Sequence, residues 1–454
     1  MSTTFKTISS FILLLVAHVN LFAQGTLDNY VAQALKNNDG VKQKQFQLEK
    51  SMQALNEAKT LFLPSVSLQG DYIKAHGGRT IDLPVGDLMN PAYSTLNQLT
   101  HSDKFPTLKN ESVQLNPDNY YDVKLHTSMP LVNAEVNYNK QIKKQTISLM
   151  QAEINVYKRA LVKEVKAAYF RYYQATQAVA IYKDALALVE KNITVNESLL
   201  RNGVKNGTAL TRAKTEKEKV LAQISQAENN SKNTQAYFNF LLNRNLDTSI
   251  EPDINNTPNT DIQQDLKTEG TSVANREELQ ELAIKTDILS LNKKLQQSFM
   301  IPTLSTFLDL GSQGFNWSVN DQSRYYFFGL HMQWDLFAWG QHKYRIKQAQ
   351  TDVNSAKLEY DETEKAFRLA LRQATNDYNS AVSNYNSAKS QRQYAEKYYN
   401  DQLKAYKEGQ LLYIELIDAQ NQLTTAQLQL SLAFANVQIA KAETERDLAT
   451  YPLN

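Results

Sequence analysis

Apolar side chains in residues 341–408 recur in alternating steps of four and three. Ala349, Val353, Ala356, Tyr360, Thr363, Phe367, Ala370 and Ala374 follow one another in this way. After one extra residue, Tyr378, Ala381, Tyr385 and Ala388 continue the series. That spacing keeps one stripe of a helix apolar, with small Ala alternating with large rings, and it predicts knobs-into-holes packing. The other faces carry Asn, Gln, Lys and Asp, so the helix packs on neighbours and keeps a wet side. Residues 131–202 form a second stretch of this kind. Neither contains glycine or proline, and at about 1.5 Å of rise per residue each makes a rod about 100 Å long. The predicted long helices, 132–202 and 340–408, stop at the turns NGVKNGT (202–208) and EGQ (408–410). Return helices are expected over 208–243 and 411–450.

A different period marks four shorter stretches, at about 64–73, 120–131, 303–312 and 325–336. In the first, Val66, Leu68 and Tyr72 alternate with Ser65, Ser67, Gln69 and Asp71. In the second, Tyr121, Val123, Leu125 and Met129 alternate with Asp122, Lys124, His126 and Ser128. In the third, Leu304, Leu308 and Leu310 oppose Ser305 and Asp309. A period of two places these side chains on opposite faces of strands, one apolar and one polar. Helical patterns over 26–60 and 276–299 precede each pair of strands and are stopped by Pro64 and Pro302. Residues 74–119 are rich in Gly, Pro, Asn, Asp and Ser without a period, and read as a long loop.

The order of elements occurs twice. LPSV (63–66) matches IPTL (301–304). Tyr120, Tyr121, Leu125, His126 and Leu131 match Tyr325, Tyr326, Leu330, His331 and Leu336 at one constant spacing. Gly203, Leu210 and Ala213 match Gly409, Leu416 and Ala419 at a spacing one residue longer. The chain therefore reads as an internal duplication of helix, strand, strand and long helical hairpin, over 24–245 and 273–454, around a polar linker at 246–272.

Composition narrows the class. With 14 glycines and 10 prolines in 454 residues, the chain favours long helices over a β-rich fold. Basic and acidic residues are interspersed and nearly balance, with a formal charge of +2, which gives no reason to expect nucleic acid. Residues 1–23 have the form of an export signal. Lys6 supplies the basic start, FILLLVA (11–17) the apolar run, and Leu21-Phe22-Ala23 a cleavage site. Cysteine is absent, which excludes both a disulfide scaffold and a lipid anchor on an N-terminal cysteine. The six histidines form no ligand pattern, and no phosphate loop, HExxH or nucleophile elbow occurs. No enzyme, cofactor or metal is expected.

Strands of about ten residues with dyad alternation have the length of transmembrane β-strands. Tyr325, Tyr326, Phe327 and Phe328 at the start of the fourth strand, and Trp334, Phe337 and Trp339 at its finish, are placed as interfacial girdles would be. The alternation alone suits the edge of a soluble sandwich equally well. Export, paired aromatic ends and the attached rods favour the membrane. Four strands cannot close a pore and open edges are not tolerated in lipid, so the sheet must be completed by other copies of the chain. Three copies would give twelve strands.

These features resemble the TolC-like outer membrane efflux proteins. The resemblance covers everything after the signal and rests on four things: the duplicated layout, the L/I-P-x-V/L start of each first strand, NGVKNGTALTRAKTE (202–216) and EGQLLYIELIDAQNQL (408–423). It implies a mainly α-helical chain with a small membrane β portion, acting as a homotrimer in outer membrane lipid. A twelve-stranded β-barrel would continue as a periplasmic α-helical barrel. The turns with Gly203, Gly207 and Gly409 would dock a periplasmic adaptor (membrane fusion protein) serving an inner-membrane pump, in tripartite efflux or type I secretion. The family's aspartate pair falls here on Glu415 and Asp418. Three residues apart, they share a helix face, and three copies would ring a periplasmic gate with six carboxylates. Acids also favour the first turns of helices for dipole reasons alone. The first half has Ala209 and Arg212 at these places, so Arg212 is a candidate partner for the acids in a closed gate. The alternative is an exported structural or adhesive coiled coil without channel activity, which fits the seam but leaves the strands unexplained.

Overall fold

The computed structural model describes residues 26–203, 207–251 and 273–453. The expected signal and nearly all of the linker lie outside them. The elements are α1 (Thr26–Asn37), α2 (Asp39–Thr60), β1 (Ser65–Ile73), β2 (Thr80–Leu83), α3 (Val85–Thr100), β3 (Glu111–Gln114) and β4 (Tyr120–Val132). Then come α4 (Ala134–Arg201), α5 (Gly207–Leu241), α6 (Glu277–Gln297), β5 (Thr303–Phe315), β6 (Arg324–Gln333), α7 (Gln341–Lys407) and α8 (Tyr413–Asp447). Short 3₁₀ turns occupy Val273–Asn275 and Ser298–Met300.

They form two compact units, each drawing segments from both halves of the chain. One comprises described residues up to Met52 with Gln145–Ile288 and Asp352–Asn454, and the other Gln53–Lys144 with Leu289–Thr351. In the first, aromatic and β-branched side chains of several helices fill one core. Val31, Val165, Phe238, Val382, Tyr385 and Phe434 are fully buried in it. The α7 seam departs from strict heptads. Leu371 and Val382 are buried where Ala370 and Ala381 are only half-buried. A helix of 3.6 residues per turn drifts by about 20° per heptad, so after three heptads the seam moves on by one residue.

The helical pattern over 26–60 is two helices. Asn38 breaks it, because its side-chain Oδ1 accepts from the N–H groups of Gly40 and Val41 at 2.9 and 3.4 Å and caps α2. An Asx cap satisfies donors at a helix start that have no intrahelical partner. A buried charge cluster closes the same unit. Arg159 bonds Glu277, and Arg276 bonds Asp447 and Glu278 at 3.0 and 2.8 Å while its guanidinium lies over the Phe367 ring. Burial opposes the charge on Glu278, but the Arg276 hydrogen bonds hold its carboxyl below the ordinary range.

The second unit is built on an antiparallel sheet in the order β1-β4-β5-β6. Its register aligns Leu68, Leu125, Leu310 and Tyr326 in one row, and Ser67, His126, Asp309 and Phe327 in the next. β6 ends at Gln333 rather than at 336, since Thr303 is its last pairing partner and Pro302 before that residue has no N–H to donate. Residues 74–119 are not a bare loop. They hold the β2–β3 hairpin and α3, a helix whose pattern is obscured by Gly86 and an internal Pro91.

Candidate functional site

Pleating gives the sheet two unlike faces. Val66, Leu68, Tyr72, Val123, Leu125, Leu310, Tyr326, Phe328, Leu330 and Met332 stand on one and are all exposed, Leu68 by 74% and Phe328 by 71%. An exposed apolar patch this continuous marks a surface that another protein or a membrane covers. The opposite face is polar. There Lys124 Nζ lies 3.3 Å from the Asp309 carboxylate, His126 bonds the same group, and Tyr325 Oη donates to Asp122 at 2.6 Å. β1 and β6 each have one edge without a partner in this sheet.

The aromatic residues singled out from the sequence do not all share a face. Tyr326 and Phe328 are on the apolar one. Tyr325 is on the polar one, because a period of two separates neighbours. Its ring fits over Gly311, where an added Cβ would come within 2.9 Å of it. Trp334, Phe337 and Trp339 lie beyond the end of β6, all exposed, with Phe337 edge-on to Trp339 at 4.9 Å between ring centres.

The two helical turns belong to the first unit. Gly203 and Gly409 have φ of +70° and +78°, a region that costs other L-residues about 1–2 kcal/mol. At Gly409 the geometry is a Schellman motif. The Gly409 N–H bonds Tyr406 O at 3.1 Å and the Gln410 N–H bonds Ala405 O at 3.0 Å, satisfying the last carbonyls of α7. Gly207 opens α5 in open space without a left-handed backbone. Beneath the turns, Ala213, Tyr399, Tyr406, Tyr413, Leu416 and Ile417 form a separate buried cluster. Burial, then the neighbouring Tyr406 phenol, pushes Tyr413 well above the usual phenol range.

Glu415 and Asp418 are both exposed on this end of α8. Glu415 accepts from the Leu412 N–H at 3.0 Å, as a capping carboxylate does, and Asp418 accepts from Gln422 Nε2 at 2.7 Å. Arg212 is exposed on α5, near enough to Tyr413 to act on its phenol electrostatically. Among the described residues no ion pair joins Arg212 to either acid within one chain. Sequence reading passed over a polar column in the same cluster. Asn192 Nδ2 donates to Gln420 Oε1 at 2.8 Å, Asn196 Nδ2 donates to Asn192 O at 2.8 Å, and Tyr406 Oη donates to Asn196. The signal was two Asn standing between Val189 and Leu199 at positions where the α4 seam should be apolar.

Among the described residues no His, Cys, Asp and Glu group could hold a metal ion, and no helix is long and apolar enough to cross a membrane. The two-faced sheet with free edges, joined to long packed helices, is the architecture of a channel-forming protein that meets lipid through β-strands. The family of outer membrane efflux proteins matches residues 30–244 and 270–446, and the chain belongs to that family. It is therefore an outer membrane efflux channel, with its helices in the periplasm.

Solved structures share the fold across nearly the whole chain. The CmeC outer membrane channel of Campylobacter jejuni aligns with a TM-score of 0.73 at 14% identity, over 94% of this chain and 87% of that one. The outer membrane protein VceC of Vibrio cholerae gives 0.71 at 13%, over 93% and 95%. The open state of the MtrE outer membrane channel of Neisseria gonorrhoeae gives 0.70 at 14%, over 93% and 89%. No curated protein sequence matches.

Proposed function

We propose that three copies of the chain close a twelve-stranded barrel, β6 of each pairing with β1 of the next, and that the helical hairpins continue it as a periplasmic tunnel. The observation that carries this reading is the sheet. It has an exposed apolar face and two unpaired edges, and lipid tolerates neither an open edge nor an unbonded backbone group. The chain is a conduit, not a catalyst, and the polar face of Asp122, Lys124, His126 and Asp309 lines its barrel lumen. The halves 24–245 and 273–454 supply equivalent strands and hairpins. Tyr326, Phe328, Trp334, Phe337 and Trp339 sit at the lipid boundary, whereas Tyr325 faces inward. The turns at Gly203, Gly207 and Gly409 meet a periplasmic adaptor that links the tunnel to an inner-membrane pump.

Glu415 and Asp418 are the gate. Both are exposed, neither forms an ion pair among the described residues, and three copies bring six carboxylates to one constriction, attracting cations and resisting anions. Arg212 closes the gate by pairing with these acids across a protomer boundary. The test is single-channel conductance in planar bilayers. With both acids replaced by alanine, conductance rises and block by multivalent cations weakens. Unchanged conductance in a trimer that still inserts removes the gate assignment.

A further inference from the structure

The segment between β1 and β4 is folded and anchored. Lys74 pairs with Asp118 at 3.7 Å, β2 pairs with β3, and Gln114 and Asn116 both donate to Gly77 O. α3 is fixed along one side only. Asn90 donates to Leu108 O at 2.9 Å and accepts from the Leu108 N–H at 2.8 Å. Seven residues on, Asn97 does the same with Phe105 at 2.8 and 3.1 Å. Asp87 and Asn110 bond each other, and a Cβ on Gly86 would lie 2.5 Å from Leu108 O. Each amide of this clamp replaces backbone partners that residues 102–110 would otherwise lack.

The other side of α3 carries Val85, Leu88, Ala92, Leu96 and Leu99, in steps of three, four, four and three. All are exposed, Leu88 by 72% and Leu99 by 73%. Among the described residues this seam has no partner, and it lies on a helix that its polar face already holds in place. Asp87 is its only charged side chain and is engaged by Asn110. A helix lying on anionic headgroups carries Lys and Arg on its polar face, and α3 has neither. A second copy fits better. The free edge of β1, where another copy must pair, runs from Ile73 directly into this segment. On the three-fold axis of a closed ring each stripe meets the same stripe of its neighbours, so no other complementary surface is needed, and Ala92 at its centre allows close approach of backbones.

We infer that the α3 helices of neighbouring copies pack on one another through Val85, Leu88, Ala92, Leu96 and Leu99, and narrow the channel at its loop end. This rests on the closed-barrel reading. It adds a second constriction, apolar and built from helices, distinct from the acidic turn.

Because the chain has no cysteine, single cysteines report this contact cleanly. Leu88→Cys and Leu99→Cys in the full-length protein, in native membranes, form disulfide-linked dimers on mild oxidation. Ser94→Cys, on the clamped side, does not. Around a three-fold axis one cysteine per chain can pair only two chains of three, so linkage saturates at about two-thirds. A trimer that forms without linkage at either leucine position, or with equal linkage at Ser94, overturns the inference. Loss of the trimer itself in the unmodified protein overturns the closed-barrel reading instead. Replacing Leu88 and Leu99 by Glu, both on the surface of the single chain, tests the constriction. Conductance rises because like charges repel across the seam, and unchanged conductance beside positive linkage leaves a contact that does not narrow the pore.

Discussion

In the helical unit Phe238, Tyr385 and Phe434 are fully shielded from solvent by other parts of the same chain. In the sheet unit Leu68, Phe328 and Leu330 are open by 64% or more. The residue types are alike; the periods differ. A period near 3.6 gives a helix one apolar stripe, which a neighbouring helix of the chain can cover. A period of two over four short strands makes an apolar sheet face too wide for any helix of that unit to cover. The first unit buries a core within the chain, whereas the second leaves its apolar sheet face open. Under the proposed barrel, lipid would cover that face.

The comparison breaks most readily at Phe434, which packs edge-on to Phe170 with ring centres 6.3 Å apart and also lies against Tyr173 and Tyr385. Phe434→Ala removes a fully buried ring and leaves a cavity, at a cost of about 3–5 kcal/mol. Urea titration followed by helical circular dichroism reads that loss. If Phe434→Ala costs no more than Phe328→Ala in the same assay, the two units are not packed on the different principles described above.

The sheet face is probed by charge. Leu330→Arg places a cation on the apolar face and His331→Arg, one residue on, places it on the polar face. At the bilayer midplane an outward Arg costs about 2–4 kcal/mol, while lumen positions tolerate it. Refolding into lipid vesicles at increasing urea separates them: Leu330→Arg lowers the folded fraction and His331→Arg leaves it near that of the unaltered chain. Equal effects from the two would mean that the faces are not lipid and lumen.

How much of this was legible depended on period and length. The long rods and the four strands were readable because a repeated pattern over many residues outweighs local propensity. The faces of Tyr325 and Tyr326 follow from parity, but a cluster of four aromatics reads first as one girdle. α3 was missed because helix breakers hide a short stripe, and because its stability comes from Asn90 and Asn97 reaching residues that follow it in the chain. The Arg159–Glu277 and Arg276–Asp447 pairs were unreadable, since nothing in a single sequence says which buried charges will meet. Glu415 and Asp418 were legible as a pair on one face. Their relation to Arg212 was not, because among the described residues no ion pair joins it to either acid.

The smallest effect separates the glycines. Gly409 has a left-handed backbone, and nothing lies within 4 Å of a Cβ built on it. Substitution there is costly for the backbone alone. Gly409→Ala lowers stability by about 1 kcal/mol, and Gly409→Asn by less, since Asn tolerates the left-handed region. Gly207 opens α5 without that constraint. Gly207→Ala is neutral or slightly stabilising, because alanine restricts the unfolded chain and suits a helix. Thermal unfolding of the three variants gives the order Gly207→Ala, Gly409→Asn, Gly409→Ala from most to least stable. If the two alanine variants unfold together, the Gly409 turn is not set by its backbone. Any loss of function from a larger side chain there would then have to come from what docks against the turn.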